Sequence, residues 1–190
     1  ELSLQMLHSG SEPELPFSPI IASGPNSANP HANPTDRRLA AGDLVVVDWG
    51  ASYAGYYSDL TRTLALGDIE PELRQIARIV AEANSAGRAA GKPGIAAGAV
   101  DQAARAVISA AGYGEYFTHR TGHGLGMETH EQPYMFGENL LLLAPGMVYT
   151  VEPGIYLPGR GGVRIEDDVV ITAEGCETLS SLPRDLYQIG

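Results

Sequence analysis

Hydrophobic positions fall into three arrangements along this chain, and each predicts a different element. Leu44-Val45-Val46-Val47 is an unbroken, mostly β-branched run of the kind that forms a buried strand, entered through the turn Ala41-Gly42-Asp43. Tyr53 to Leu66 alternates aromatic, small and polar residues and predicts a second strand. Leu73, Ile76, Ala77, Val80, Ala81 and Asn84 recur at helical spacing behind Pro71, which suits a first helical turn. This helix runs to about Ala90, where Gly91-Lys92-Pro93-Gly94 stops it. Val100, Ala103, Ala104, Val107, Ile108 and Ala111 mark a second helix, over about Ala99 to Ala111, closed by Gly112. Beyond His119 the pattern returns to strands and Gly-rich turns. Met147 to Tyr156 and Val163 to Thr172 predict a hairpin joined through Leu157 to Gly162. The first residues read as a helix already under way. Ser9 to Pro34 reads as loop, interrupted by a short strand at Phe17 to Ala22.

Two predicted strand pairs thus carry one acid per arm: Asp48 with Asp59, and Glu152 with Glu166. The echo suggests two related halves folded about a shared site. Asp48 and Glu152 end apolar runs, so their carboxylates hang from strands that read as buried. A buried ionised carboxylate without a partner costs several kcal/mol, and such groups pair, protonate or bind metal. The basic residues inside these strands are Arg62 and Arg164, too few to neutralise Asp48, Asp59, Glu152, Glu166, Asp167 and Asp168. One or two divalent cations resolve the excess. Each acid read singly has a plainer alternative: Asp59 paired with Arg62, Glu166 with Arg164, Glu152 in a turn. His123 lies between two glycines that leave room for close backbone approach, and alone it is as compatible with a core histidine as with a ligand.

Composition narrows the field of partners. The 190 residues carry a formal charge of −11, which disfavours nucleic acid and anionic membranes. Apolar residues at 44 % and charged residues at 18 % are ordinary for a globular domain, and one domain is expected at this length. No apolar stretch approaches the roughly 20 residues that span a bilayer. The single cysteine, Cys176, rules out an internal disulfide and a thiolate metal site, and points to a reducing, cytoplasmic setting with the thiol a spectator. Carboxylates and an imidazole suit Mn²⁺, Co²⁺ or Zn²⁺. Two such ions about 3.5 to 4 Å apart lower the pKa of a shared water and polarise a carbonyl, as amide hydrolysis requires.

Taken in order, Gly42 to Asp48, Ser58 to Thr63, Thr121 to Gly126, Val151-Glu152-Pro153-Gly154 and Arg164-Ile165-Glu166-Asp167 together resemble the aminopeptidase P and prolidase family, proline peptidases of the pita-bread fold. The resemblance runs from about Ile20 to the C-terminus. It implies an α+β fold with a curved antiparallel sheet, helices on its outer face and pseudo-twofold halves. It also implies two divalent metals, Mn²⁺ first with Co²⁺ or Zn²⁺ as alternatives, held by Asp48, Asp59, His123, Glu152 and Glu166. Asp59 and Glu166 would bridge, Asp48 would bind one metal through both oxygens, and His123 with Glu152 would complete the other. By the same resemblance Glu152 shuttles a proton and His130 steadies the carbonyl oxygen. His31 and His119 line the pocket for the residue after the scissile bond; His119 is counted among the catalytic residues as well, and His130 among those that touch substrate. Arg164 orients a ligating carboxylate, with Tyr156 in Gly154-Ile155-Tyr156 a candidate partner in that network, and is expected also to line the substrate pocket. The expected substrate is a peptide with proline at its second position. The expected assembly is a homodimer or higher homo-oligomer of a longer protein whose N-terminal domain and first catalytic-domain residues are absent from this chain. Methionine aminopeptidases share the fold and the five ligands, and a non-catalytic module of the fold is the remaining alternative.

Overall fold

The computed structural model describes residues 1–190. In chain order the elements are α1 (Leu2–His8), β1 (Ile20–Ser23), β2 (Leu44–Trp49), β3 (Ser52–Tyr53), β4 (Tyr56–Tyr57), β5 (Leu60–Leu66), α2 (Pro71–Ala90) and α3 (Gly98–Ala110). Then follow β6 (Gly122–Gly124), β7 (Glu131–Met135), β8 (Val148–Val151), β9 (Gly154–Leu157), β10 (Gly161–Arg164), β11 (Asp167–Ile171), β12 (Cys176–Thr178) and β13 (Tyr187–Ile189). Mixed helices and mainly antiparallel strands make this the expected α+β class.

One sheet runs β1-β2-β5-β13 and the other β12-β11-β8-β6-β7, with β9 and β10 paired between them. The predicted second hairpin is present, but broken in both arms. β8 pairs with β11 and β9 with β10, antiparallel, and the breaks fall at Glu152-Pro153 and at Ile165-Glu166. Proline at 153 removes a ladder donor, which forces such an interruption. The expected single strand over Tyr53 to Leu66 is corrected. Ala54 and Gly55 both have positive φ, 51° and 78°, and turn the chain between β3 and β4 before β5 begins at Leu60. The early strand also sits later than expected, at Ile20–Ser23 rather than from Phe17.

Helix α2 has the predicted bounds, with Pro71 in its first turn. Its face of Leu73, Ile76, Ala77, Val80 and Ala83 packs with Ala104 and Ile108 of α3 and with Ile155, Leu157, Val163 and Ile165 of the second hairpin. Burying one such Leu, Ile or Val side chain contributes about 1.5–3 kcal/mol, so this shared core, rather than helix propensity, fixes α2. Gly87 brings the helix close to β8, because a Cβ there would stand 2.8 Å from Val151 Cγ1. A second cluster beneath β8 and β11 holds Val100, Met135, Tyr149, Val151, Val169 and Ile171, with Cys176 packed partly buried at its margin. Strand periodicity then sorts the residues: Tyr149 and Val151 enter the core while Thr150 and Glu152 turn the other way.

Candidate metal centre and active site

Both hairpins deliver their acids to one place. Asp48 lies on β2 opposite Thr61, and Asp59 immediately precedes β5. Glu152 and Glu166 sit in the two strand breaks, where the backbone no longer has a ladder partner. Other groups supply the missing bonds: Glu152 N–H donates to Thr121 O (2.8 Å) and Glu166 N–H to Thr61 O (3.1 Å). Asn84 of α2, fully buried, donates to the carbonyls just before each glutamate, Val151 O at 2.9 Å and Ile165 O at 3.3 Å. His123 reaches the same place from β6. Its neighbours Gly122 and Gly124 are obligatory because a side chain at either would collide with the backbone of Thr150 or Gln132.

Asp48, Asp59, His123, Glu152, Glu166, His31, His119, His130 and Arg164 all line one cavity of about 660 Å³. Thus the structure brings together every residue singled out for ligation or substrate contact, while His8 stays outside. One ligand atom each from Asp59, His123 and Glu166 lies within 4.8 Å of the others. His123 Nε2 stands 3.4 Å from Glu152 Oε1 and 3.7 Å from Asp59 Oδ2. The other ring nitrogen, Nδ1, is 3.1 Å from Gly124 O, which assigns it the proton and leaves the Nε2 lone pair facing the carboxylates. Burial holds the His123 pKa down to about 3, so this imidazole is neutral, as a ligand must be.

The acids are poorly compensated by protein alone. Burial, then the charges of Asp48, Glu152 and Asp168, push Asp59 well above the usual carboxylate range. Glu166 is raised likewise, by burial and then by Asp59, Glu152 and Asp48. Burial also lifts Glu152 to about 7. Asp48 Oδ1 and Asp59 Oδ1 are buried with no hydrogen-bond partner. Orphaned carboxyl oxygens, a neutral imidazole aimed among them and acids that disfavour one another's charge are together what a divalent-cation site presents. The residues therefore fit the metals that the sequence implied.

Arg164 organises one flank. It donates to Asp48 Oδ2 (2.6 Å), to Thr61 Oγ1 (3.2 Å) and to the Tyr156 hydroxyl (3.0 Å). Thr61 in turn donates to Glu166 Oε2 at 2.5 Å, so one guanidinium orients two of the acids. Tyr156 does join this network, and its hydroxyl lies 2.8 Å from His119 Nε2. His119 Nδ1 contacts Arg120 O at 2.8 Å, so both ring nitrogens are engaged and burial holds its pKa down to about 4. That geometry supports His119 as a wall of the pocket rather than a proton carrier. His130 stacks edge-on against His123, ring centroids 4.1 Å apart, beside the ligands.

Sequence reasoning missed the supporting groups. Thr61 and Thr63 share the Asp59 face of β5 at period two, a signal that was available; Thr63 Oγ1 donates to Arg164 O at 2.8 Å. Thr150 donates to Glu152 Oε1 (3.2 Å) and accepts from His123 N–H (3.1 Å). Asp168 Oδ2 accepts the Asp59 N–H at 3.0 Å. The proposed shortage of cations needs one correction: Asp167 belongs elsewhere, turned away from the cavity onto Arg62 and Arg184.

Comparisons with known proteins bear on the family and the fold. The model of metallopeptidase family M24 matches residues 1–173. The Xaa-Pro dipeptidase of Pyrococcus furiosus is 48% identical over 90% of this chain and 49% of its own length. The crystal structure of a prolidase from Thermococcus sibiricus superposes with a TM-score of 0.96 at 45% identity, covering 99% of this chain and 51% of that one. An X-Pro aminopeptidase from Thermotoga maritima gives 0.95 at 41% identity, over 99% and 53%. The chain spans about half the length of the curated relatives it matches.

Proposed function

The chain belongs to metallopeptidase family M24 and has its pita-bread fold, and from that premise we propose that it is the catalytic domain of a proline peptidase, hydrolysing the bond before proline in an Xaa-Pro substrate. The observation that carries the reading is the single cavity in which Asp48, Asp59, His123, Glu152 and Glu166 converge beside His31, His119 and His130. The relatives named for Xaa-Pro or proline-specific activity support it.

Those five ligands would hold two divalent ions, Mn²⁺ first among candidates, with Asp59 and Glu166 the shared pair. When bound, the ions supply the acidity that makes water nucleophilic near neutral pH and the charge that polarises the scissile carbonyl. Glu152, held by Thr150, accepts the proton of the attacking water and returns it to the departing proline nitrogen, which otherwise leaves as a poor anion. His130 donates toward the carbonyl oxygen as charge develops there. His31 and His119 wall the ring of the proline, and Arg164 keeps Asp48 and, through Thr61, Glu166 in place. A homodimeric or larger full-length assembly in the cytoplasm completes the proposal; no helix is long and apolar enough to cross a membrane.

The test compares Ala-Pro, Ala-Ala and Met-Ala substrates with the full-length, metal-supplied protein. A pocket matched to the fixed φ and ring of proline should favour Ala-Pro by on the order of 10²-fold in kcat/KM, about 2.7 kcal/mol. Equal turnover of all three removes the proline assignment, and a preference for Met-Ala assigns the site to methionine release instead.

A further inference from the structure

The glutamates of the centre sit where the second hairpin is least bonded to itself. On either side of the strand breaks the arms are paired, Val151 with Asp167 and Gly154 with Arg164. Between those pairs the backbone contributes one long bond, Ile165 N–H to Pro153 O at 3.4 Å. Each glutamate leans instead on a different sheet. Glu166 is tied to β5, its N–H donating to Thr61 O (3.1 Å) and its Oε2 accepting from Thr61 Oγ1 (2.5 Å). Glu152 is tied to the β6 and β8 side, its N–H donating to Thr121 O (2.8 Å) and its Oε1 accepting from Thr150 Oγ1 (3.2 Å). Asn84 fills the gap from behind. It stands on α2 with no exposed surface, and its Nδ2 donates to Val151 O at 2.9 Å and to Ile165 O at 3.3 Å. Arg88 Nε donates to its Oδ1 at 2.8 Å, which fixes the sense of the amide and leaves both N–H groups for the two carbonyls.

Asn84 lines no part of the cavity, so it acts on the centre through the backbone before Glu152 and Glu166. We propose that Asn84 is a positioning residue that sets the spacing of Glu152 and Glu166, and that it governs chiefly the ion opposite His123. The inference rests on the two-metal reading and adds to it an unequal dependence of the two ions on α2. The ion shared by Asp48, Asp59 and Glu166 finds its ligands on one side, because Asp48 is on β2, Asp59 precedes β5 and Glu166 is bonded to Thr61 of β5. The ion completed by His123 and Glu152 draws ligands from both sheets. His123 and Glu152 are held together through Thr150, but their register with Asp59 and Glu166 depends on what crosses the breaks. An error of spacing there therefore falls on the second ion.

Calorimetric titration of the full-length protein with Mn²⁺ tests this for Asn84→Ala, Asn84→Gln, Arg88→Leu and Ala77→Gly beside wild type, with urea unfolding in chelator to follow the fold. Wild type should bind two ions. Asn84→Ala should weaken one of them on the order of 10- to 100-fold, the range for losing an outer partner of a ligand, and the other by about twofold or less. Added to His123→Ala, the same substitution should cost the remaining ion no more than about twofold, which identifies the weakened ion as the one opposite His123. Asn84→Gln, with the same two donors on a longer stem, should recover part of the loss. Ala77→Gly loosens the same helix away from the breaks, and should unfold more readily while keeping both affinities. Equal weakening of both ions, unchanged affinities in folded Asn84→Ala, or the same selective loss in Ala77→Gly overturns the role of Asn84 and leaves the proline-peptidase reading standing. Should Asn84→Ala not fold, Arg88→Leu decides. It keeps the amide but frees its sense, so the same ion should weaken by a smaller factor, and unchanged affinities there overturn the inference. Wild type that binds neither Mn²⁺, Co²⁺ nor Zn²⁺ overturns the two-metal reading, and this inference with it.

Discussion

Glu166, Asp167 and Asp168 are consecutive and all buried, yet alternation around β11 sends them to opposite faces whose treatment of a carboxylate differs in kind. Asp167 turns to the helix side with Val169 and Ile171. There it receives Arg62 Nη2 at 2.9 Å, Arg184 Nε at 2.7 Å and Ser180 Oγ at 2.5 Å, with Arg88 Nε at 3.7 Å. Burial acts to raise its pKa, but the hydrogen bonds of Arg184, Ser180 and Arg62 outweigh it and hold the carboxyl below its ordinary value. On the cavity side Glu166 is raised, and Asp168 is pushed by burial to about 7 with its Oδ1 unpartnered. A buried acid therefore says little about metal until its partners are counted. On one face the protein supplies the cations, and on the other it leaves them to be supplied.

The largest effect expected from that contrast is on the cavity face. Glu166→Ala should lose bound metal, and turnover should fall by more than the 10- to 100-fold typical of losing an outer partner of a ligand. The metal-free variant should melt no lower than metal-free wild type, since a carboxyl that burial and the neighbouring acids keep from ionising has been removed. Elemental analysis, turnover and melting in chelator measure the three quantities. Two metals per chain with normal turnover would remove Glu166 from the centre.

Asp167→Ala should show the reverse pattern. It strands Arg62, whose side chain is 9% exposed, and breaking a buried pair this way costs about 3–5 kcal/mol. The same guanidinium donates to Leu182 O and Pro183 O, so the C-terminal segment loosens with it. Denaturant unfolding in chelator should register the loss, while metal stoichiometry at saturating ion stays at the wild-type value. A variant of normal stability that sheds metal would make the two faces one site.

This division was only half legible in the sequence. The five proposed ligands are singled out by the joint order of their motifs and the resemblance that order carries, since each read singly has a plainer alternative, and α2 could be read because Pro71 and Gly91 bracket a clean helical period. Asp167 could not be separated from its neighbours, because its partner Arg184 lies in a segment that no periodicity marked, and β12 and β13 went unread for the same reason. The β3–β4 turn was hidden by Ala54, a residue that rarely takes positive φ, where Asn or Gly would have announced it. Asn84 carried a helix-face signal but no hint that its amide would bridge two strand breaks 67 and 81 positions away.

The smallest effect per unit of perturbation, and the most direct reading of the cavity face, is the pH dependence of the metal-free protein. Glu152 and Asp168, both near 7, and the raised Asp59 and Glu166 hold protons in the folded state that the unfolded chain has released. Their contribution to stability is complete below the unfolded carboxylate pKa and is lost as pH rises through the folded values. The buried histidines act oppositely. His119 near 4, His123 near 3 and the lowered His130 stay neutral when folded, so their contribution grows until pH reaches the unfolded value of 6.5. The two sets offset each other between about 4.5 and 6.5, and only the acids change above it. Urea unfolding in chelator should therefore show stability falling as pH rises from about 6.5 to 7, by about 1.4 kcal/mol per pH unit for each acid still titrating. Asp167, lowered rather than raised, adds nothing in that window and loses its contribution only in strong acid. Added Mn²⁺ should abolish the fall, because the ion takes the place of the departing protons and binds more tightly as they leave. Metal-free stability that climbs between pH 6.5 and 7 would mean that the cavity face is compensated by groups of the chain itself, and that the two faces of β11 are alike after all.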